Sequence, residues 1–321
     1  MIKRQRDGVT WAIITGATAG IGEAFCHELS QRAINKRGQQ LRLLIISRSE
    51  SKLQSVRQEL LKNYNNNNNN NNNTNSIPVQ SHIQVDYLVR DFADTSATQS
   101  FNTQLHSKLE TILSTAATNK HPTHLMLFNC VGIVNQIPAN LHQTPTQELQ
   151  QMLSINIEGT FHMTNIVLSY MRKLQQISPL NKCSILTVSS GGCNHPTPML
   201  ATYTATKAFG SALSDALAQK TYSPDMTCIR PYYYETTHVH RNSSAFFVPK
   251  ALTVARLALN AMNCQRINVS PYWAHTAAEL LTKHTPIDPA PRIMRNLQQT
   301  RERHLAKQMQ GQQTANDLLN R

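Results

Sequence analysis

Tyr203 and Lys207 stand four positions apart in the run Tyr-Thr-Ala-Thr-Lys. On a helix this spacing stacks both side chains on one face, so an ammonium can stand beside a phenol hydroxyl. A free tyrosine, with a pKa of about 10, is a poor proton donor and acceptor at neutral pH, and a neighbouring cation draws it toward working pH by favouring the phenolate. Such a pair can serve as a general acid and base. Ser190 comes thirteen positions before Tyr203, at the end of residues 183–188, Cys-Ser-Ile-Leu-Thr-Val, an apolar run that reads as a buried strand. A hydroxyl at the carboxyl end of a strand faces the crevice where open α/β sheets bind ligands. Tyr-x-x-x-Lys also occurs on helices by chance, so its meaning depends on whether the chain builds a dinucleotide site to serve it.

The first apolar run, residues 11–14, leads directly into Thr15-Gly16-Ala17-Thr18-Ala19-Gly20-Ile21-Gly22, and helical spacing follows from Glu23. Strand, glycine turn and helix form the context a dinucleotide motif requires. Gly16 permits the tight turn, Gly20 lets backbone amides approach a pyrophosphate, and Gly22 lets the helix pack closely on the strand; Thr15 and Ile21 belong to the same cofactor-binding turn. A second strand, residues 41–46, ends in Ser47-Arg48-Ser49. An acidic residue there would accept from the ribose 2′-hydroxyl of NAD, whereas Arg48 offers a guanidinium to a 2′-phosphate, so the expected cofactor is NADP(H). A third strand, residues 83–89, ends at Asp91, whose carboxylate can meet the adenine amino group. A fourth, residues 125–128, ends in Asn129-Cys130-Val131-Gly132. Gly132 allows close backbone approach to the ribose; Asn129 either contacts the cofactor or ties strand ends together. Residues 146–171 read as one long helix with Asn156 in its interior.

These elements predict an α/β fold, a single doubly wound Rossmann domain with a mostly parallel sheet over residues 1–290. Within it, an amphipathic helix at 51–63 is followed by an asparagine-rich stretch, 63–76, that cannot bury apolar area and reads as a disordered insertion. The helix carrying Tyr203 runs to about residue 222, a strand at 226–229 ends at Arg230-Pro231, and residues 237–250 read as a substrate loop. A helix at 251–262 and a short strand near 267–269 come next. Residues 291–321 form a basic, helical tail, either solvated or lying on anionic lipid headgroups. The chain has 321 residues, 40% of them hydrophobic, and a formal charge of +13. That charge invites a nucleic-acid reading, but the basic residues are scattered, with no glycine-aromatic RNA signature and no Cys/His zinc spacing, so neither nucleic acid nor a metal is expected. The balance suits acidic small molecules or a membrane surface instead. The six cysteines are far apart, as in a reducing compartment. No apolar run approaches the length of a membrane span, and no signal peptide is apparent.

With the glycine turn, Asn129-x-x-Gly132, Asn156, Ser190, Tyr203 and Lys207 together, the chain resembles the short-chain dehydrogenase/reductases over roughly its first 270 residues. It is most similar to the branch holding very-long-chain 3-oxoacyl-CoA reductases and 17β-hydroxysteroid dehydrogenases of types 3 and 12, through Ile46-Ser-Arg-Ser49, Ser189-Ser-Gly191 with Pro198, Phe209, and Pro231-Tyr232 in place of Pro-Gly. The resemblance implies that Tyr203 is the general acid/base and that Ser190 holds the substrate carbonyl. It further implies that Lys207 binds the nicotinamide ribose and tunes Tyr203, that Asn156 anchors a water in a proton relay, and that Pro231 and Thr236 flank the nicotinamide carboxamide. The expected activity is NADPH-dependent reduction of a 3-ketoacyl-CoA in fatty-acid elongation. The alternatives are a 17β-ketosteroid reductase and, from another class, a non-catalytic nucleotide- or RNA-binding protein on the same fold. The partners implied are a lipid substrate, acyl-CoA or steroid, a peripheral membrane contact and a homodimer. The resemblance implies the endoplasmic reticulum; the missing N-terminal hydrophobic segment of that branch implies the cytoplasm.

Overall fold

Apolar runs alternating with 3.6-period segments fold into helices laid on both faces of one parallel sheet. The computed structural model describes residues 8–35, 40–71, 82–94, 96–119, 121–135, 137–194, 198–219, 224–232, 248–262 and 267–284, together with residue 299. Thr236, most of the 237–250 loop and the tail beyond residue 290, residue 299 apart, lie outside the described residues.

The strands are β1 (Val9–Thr15), β2 (Gln40–Ser47), β3 (His82–Val89), β4 (Thr123–Asn129), β5 (Lys182–Val188), β6 (Asp225–Ile229) and β7 (Asn268–Val269), in the order β3-β2-β1-β4-β5-β6-β7. Every pairing is parallel, so the sheet is wholly rather than mostly parallel. β1 is buried along its whole length, which is why it reads as a continuous apolar run without alternation. It pairs with β2 on one side, Thr15 opposite Ile46, and with β4 on the other, Ile14 opposite Phe128. The order reverses between β1 and β4. The crevice outside their carboxyl ends is therefore the switch point where such sheets bind ligands.

The helices are α1 (Gly20–Ile34), α2 (Glu50–Asn71), α3 (Thr98–Thr118), α4 (Thr146–Leu153), α5 (Gly159–Ile177), α6 (Ala201–Leu217), α7 (Ala251–Ala261) and α8 (Trp273–His284). One core joins a sheet face to α1, α2 and α7 through Phe25, Leu53, Leu60 and Val254; the other joins the opposite face to α3 and α5 through Phe101, Leu105, Ile112, Met163 and Leu174. No helix among the described residues is long and apolar enough to cross a membrane.

Three boundaries differ from the sequence reading. α2 runs to Asn71, so part of the asparagine stretch expected to be disordered is helical backbone. Asparagine is a poor helix former, but extending an existing helix costs far less than nucleating one. α6 stops at Leu217, short of residue 222. The single helix expected over 146–171 is α4 and α5 joined by a π turn, Ser154–Glu158, where the Gly159 N–H reaches back to the Ser154 carbonyl. A π turn widens the helix locally, and such turns are frequent at functional sites. This one carries Asn156.

Candidate active site

The phosphate end of the crevice is shaped by glycines. Gly16 and Gly20 have φ of 65° and 60°, the left-handed region that glycine enters without steric cost. A Cβ on Gly22 would stand 2.3 Å from the Gly16 carbonyl oxygen, so the first turn of α1 rests directly on the loop beneath it. Ala19, the N-cap residue, makes no side-chain cap. The first N–H groups of α1 are therefore left for an anion, where the helix dipole also favours negative charge. Ile21 is buried in the core, so only its backbone can serve a ligand. These features fit a dinucleotide pyrophosphate.

Two residues of the expected cofactor set bond other parts of the fold. Thr15 is fully buried; its hydroxyl donates to the Phe128 carbonyl (3.2 Å) and accepts from the N–H groups of Cys130 (3.0 Å) and Val131 (3.2 Å). It fastens the end of β1 to the loop after β4, and so positions Gly132. Asn129 is also buried, and its amide donates to the Thr164 hydroxyl on α5 at 2.8 Å. The amide thus ties the end of β4 to a helix, not to another strand end, and its carbonyl oxygen is buried without a partner among the described residues. Both positions face inward because a parallel strand is buried on both sides almost to its end. Arg48, by contrast, is exposed at the end of β2 and engages no partner among the described residues. Asp91 is half-buried, with one carboxylate oxygen accepting the Ala93 N–H at 3.0 Å.

At the other end, three elements set the expected residues around the strand ends: the turn after β5 carries Ser190, α6 carries Tyr203 and Lys207, and the π turn carries Asn156. β5 ends just before Ser189, whose buried hydroxyl donates to the Lys207 carbonyl at 2.7 Å and holds α6 against the strand. Ser190 begins a short 3-10 turn, Gly191–Cys193, and its Oγ accepts from the Gly192 N–H at 3.3 Å, with the O–H proton engaging no acceptor among the described residues. On α6 the Lys207 Nζ donates to the Val188 carbonyl at 3.0 Å and lies 5.9 Å from the Tyr203 ring centroid. The four-residue spacing has thus done what helical geometry requires. Burial pushes the Lys207 ammonium down to about 8, with Cys130, Cys228 and Cys193 pulling weakly the other way.

Asn156 is fully engaged. Its Oδ1 accepts the Ile133 N–H (2.8 Å), while Nδ2 donates to the Ile133 carbonyl (2.9 Å) and to the Thr206 hydroxyl (2.9 Å), which donates in turn to the Tyr203 carbonyl (2.8 Å). A continuous chain of bonds therefore runs from the loop after β4 through the π turn to α6. Gly132 sits at its centre: a Cβ there would lie 2.9 Å from Lys207 Nζ and 3.4 Å from Asn156 Oδ1. Pro231 is buried and its carbonyl accepts the Gly191 N–H at 3.0 Å, closing the far wall. Ser189 and Thr206 were missed by the sequence reading. Thr206 is visible as the polar residue before Lys207, but one position along a helix points away from the Tyr–Lys face, and only the π turn brings Asn156 to meet it.

Among known proteins, the family model described as short chain dehydrogenase matches residues 10–245. The chain belongs to the short-chain dehydrogenase family. It is 27% identical over 284 residues to "Inactive hydroxysteroid dehydrogenase-like protein 1" of Homo sapiens, covering 86% of this chain and 72% of that protein. It is 28% identical over 277 residues to "Very-long-chain 3-oxoacyl-CoA reductase" of Yarrowia lipolytica, covering 83% of this chain but only 62% of the relative. Among solved structures, 3-ketoacyl-(acyl-carrier-protein) reductase from Brucella melitensis, complexed with NADH, superposes with a TM-score of 0.59 at 19% identity, covering 82% of this chain and 97% of that one. This short-chain dehydrogenase is accordingly an oxidoreductase of the kind that interconverts alcohols and carbonyls.

Proposed function

We propose that the protein is an NADPH-dependent carbonyl reductase acting on 3-oxoacyl-CoA thioesters. The observation that carries the proposal is the bonded chain from Asn156 through Thr206 to α6, the helix that carries Tyr203 and brings the Lys207 ammonium beside Gly132 at the switch point. A reduced nicotinamide bound there would supply a hydride to the substrate's carbonyl carbon. The chain's own groups deal with the oxygen. Ser190 holds that oxygen through a hydrogen bond from its O–H, Tyr203 transfers the single proton that completes the alcohol, and the Lys207 ammonium stabilises the negative charge that builds there. Asn156, with both ends of its amide engaged, holds the loop carrying Gly132 in register with α6.

Preference for the phosphorylated dinucleotide is supported by Arg48, exposed at the end of β2 where an acidic residue would favour NAD. The thioester is supported by the curated relatives named as very-long-chain 3-oxoacyl-CoA reductases and by a +13 chain suited to an acidic substrate. That reading implies work at the endoplasmic reticulum. A ketosteroid is the second reading, favoured by the relative named as hydroxysteroid dehydrogenase-like. The same relative is named inactive, which makes the integrity of the tetrad the point to test.

The test is oxidation of NADPH and of NADH by the full chain with a 3-oxoacyl-CoA and with a 17-ketosteroid. Turnover is expected with NADPH and the thioester, and Tyr203→Phe should lower kcat by about 10² to 10⁴ while leaving cofactor binding in place. A Phe variant as fast as wild type would remove Tyr203 from the chemistry.

A further inference from the structure

The end of β6 carries a side chain that reduction itself does not use. Tyr232 follows Pro231, and its ring lies over Gly191, the neighbour of Ser190: a Cβ on Gly191 would stand 2.4 Å from Tyr232 Cε2 and 2.5 Å from Cζ. Only glycine lets the ring come this close. The two segments are also laced through the backbone, by the Gly191 N–H to the Pro231 carbonyl. From the other side, the Tyr232 N–H donates to Nδ1 of buried His275 at 3.4 Å, and the two rings lie 5.6 Å apart. Tyr272 meets His275 edge-on at 5.1 Å and backs it in turn. The ring is therefore held in place beside the residue expected to hold the substrate carbonyl.

Its hydroxyl is left over. The oxygen is buried and has no hydrogen-bond partner among the described residues. An unpaired buried polar group is costly, and such groups are rare in folded proteins unless a ligand or water satisfies them. Glu279, which acts on the phenol electrostatically, has one carboxylate oxygen taken by the Asn194 amide at 2.6 Å. Burial first, then Glu279 and Cys193, push the phenol up to about 12, so it keeps its proton and remains a donor at any working pH.

We infer that the Tyr232 hydroxyl is a specificity-determining donor, which hydrogen-bonds a second oxygen of the substrate while Ser190 and Tyr203 hold the first. A 3-oxoacyl thioester has such an oxygen two carbons from the carbonyl being reduced. An isolated ketone has none there. The inference rests on the reductase reading above and sharpens it, since the donor selects β-dicarbonyl thioesters over simple ketones. A site whose donor is left unpaired by the wrong substrate discriminates more strongly than one that relies on shape alone.

The full chain and its Tyr232→Phe variant, which keeps the ring over Gly191, are assayed for NADPH oxidation with a 3-oxoacyl-CoA and with a methyl ketone of matched chain length. The ratio of kcat/KM for thioester over ketone is expected to fall about tenfold in the variant, mostly through KM on the thioester. An unchanged ratio overturns the inference, as does loss of NADPH binding measured by fluorescence titration, because the hydroxyl would then serve the fold. If wild type reduces the ketone but not the thioester, the thioester reading falls and takes this one with it. Turnover of both substrates with an equal loss on each removes Tyr232 alone, and turnover of neither removes both readings.

Discussion

Lys207 carries its charge in a place that does not favour one. It is buried, its Nζ donates to the Val188 carbonyl, and burial brings its pKa from 10.5 down to about 8. Two consequences of opposite sign follow. For catalysis, the ammonium is the form that stabilises negative charge, and kcat/KM reports groups of the free enzyme, so reduction should slow as pH rises through about 8. For folding, the unfolded lysine keeps its proton to near 10.5, and between the two values the unfolded state binds more protons. Stability gains with pH in that window. The penalty for burying the charge, about 3 kcal/mol, is fully present below pH 8 and is relieved between about 8 and 10.5. The prediction is read from a pH–rate profile and from melts of the cofactor-free protein beside Lys207→Met, which should lack the rise in stability. A rate that stays flat across pH 8 would show that the ammonium is not needed.

At the scale of elements, the glycine turn is the part most tightly constrained by sterics. Gly22→Ala would put a methyl 2.3 Å from the Gly16 carbonyl oxygen, which is backbone and can move only if α1 lifts. The expected result is overpacking that costs about 1–3 kcal/mol, together with a loss of dinucleotide affinity, since α1's free N–H groups move with the helix. A chemical melt and an NADPH titration measure the two effects. Wild-type affinity in the Ala variant would show that the close packing does not serve the cofactor. This turn was legible in the sequence because glycine spacing between a strand and a helix states a backbone requirement directly. The parallel sheet was legible too, through continuous apolar runs such as 11–14 and 183–188 that only strands buried on both faces sustain. α3 shows its period in Phe101, Leu105, Leu109, Ile112 and Ala116, yet went unread among its many polar residues. The π turn has no such local signature. It joins α4, which packs on α6, to α5, which packs on the sheet, and so the contact between Asn156 and Thr206 could not be read in advance. The inward turns of Thr15 and Asn129 were hidden for a related reason: sequence places a residue at a strand end but not on a side of it.

For the whole molecule, charge decides how a substrate arrives. The chain carries 31 Lys and Arg against 18 Asp and Glu, and among the described residues the ion pairs, such as Lys108 with Asp86 and Arg32 and Arg256 with Glu28, use few of the cations. The surplus makes a long-range positive field, which concentrates polyanions near the surface and speeds their capture by about tenfold or more at low salt. A CoA thioester, with its phosphates, would feel this field; an uncharged ketone or ketosteroid would not. Raising ionic strength from about 0.01 M to about 1 M shortens the Debye length from about 30 Å to about 3 Å. If the thioester reading is right, kcat/KM for the 3-oxoacyl-CoA should fall steeply across that range with cofactor held saturating, while the value for a neutral carbonyl changes little. Saturating cofactor matters because NADPH is itself a polyanion, and its own capture would otherwise carry the salt dependence. Equal slopes for the charged and the neutral substrate would mean that the basic surplus serves something other than delivery of the substrate.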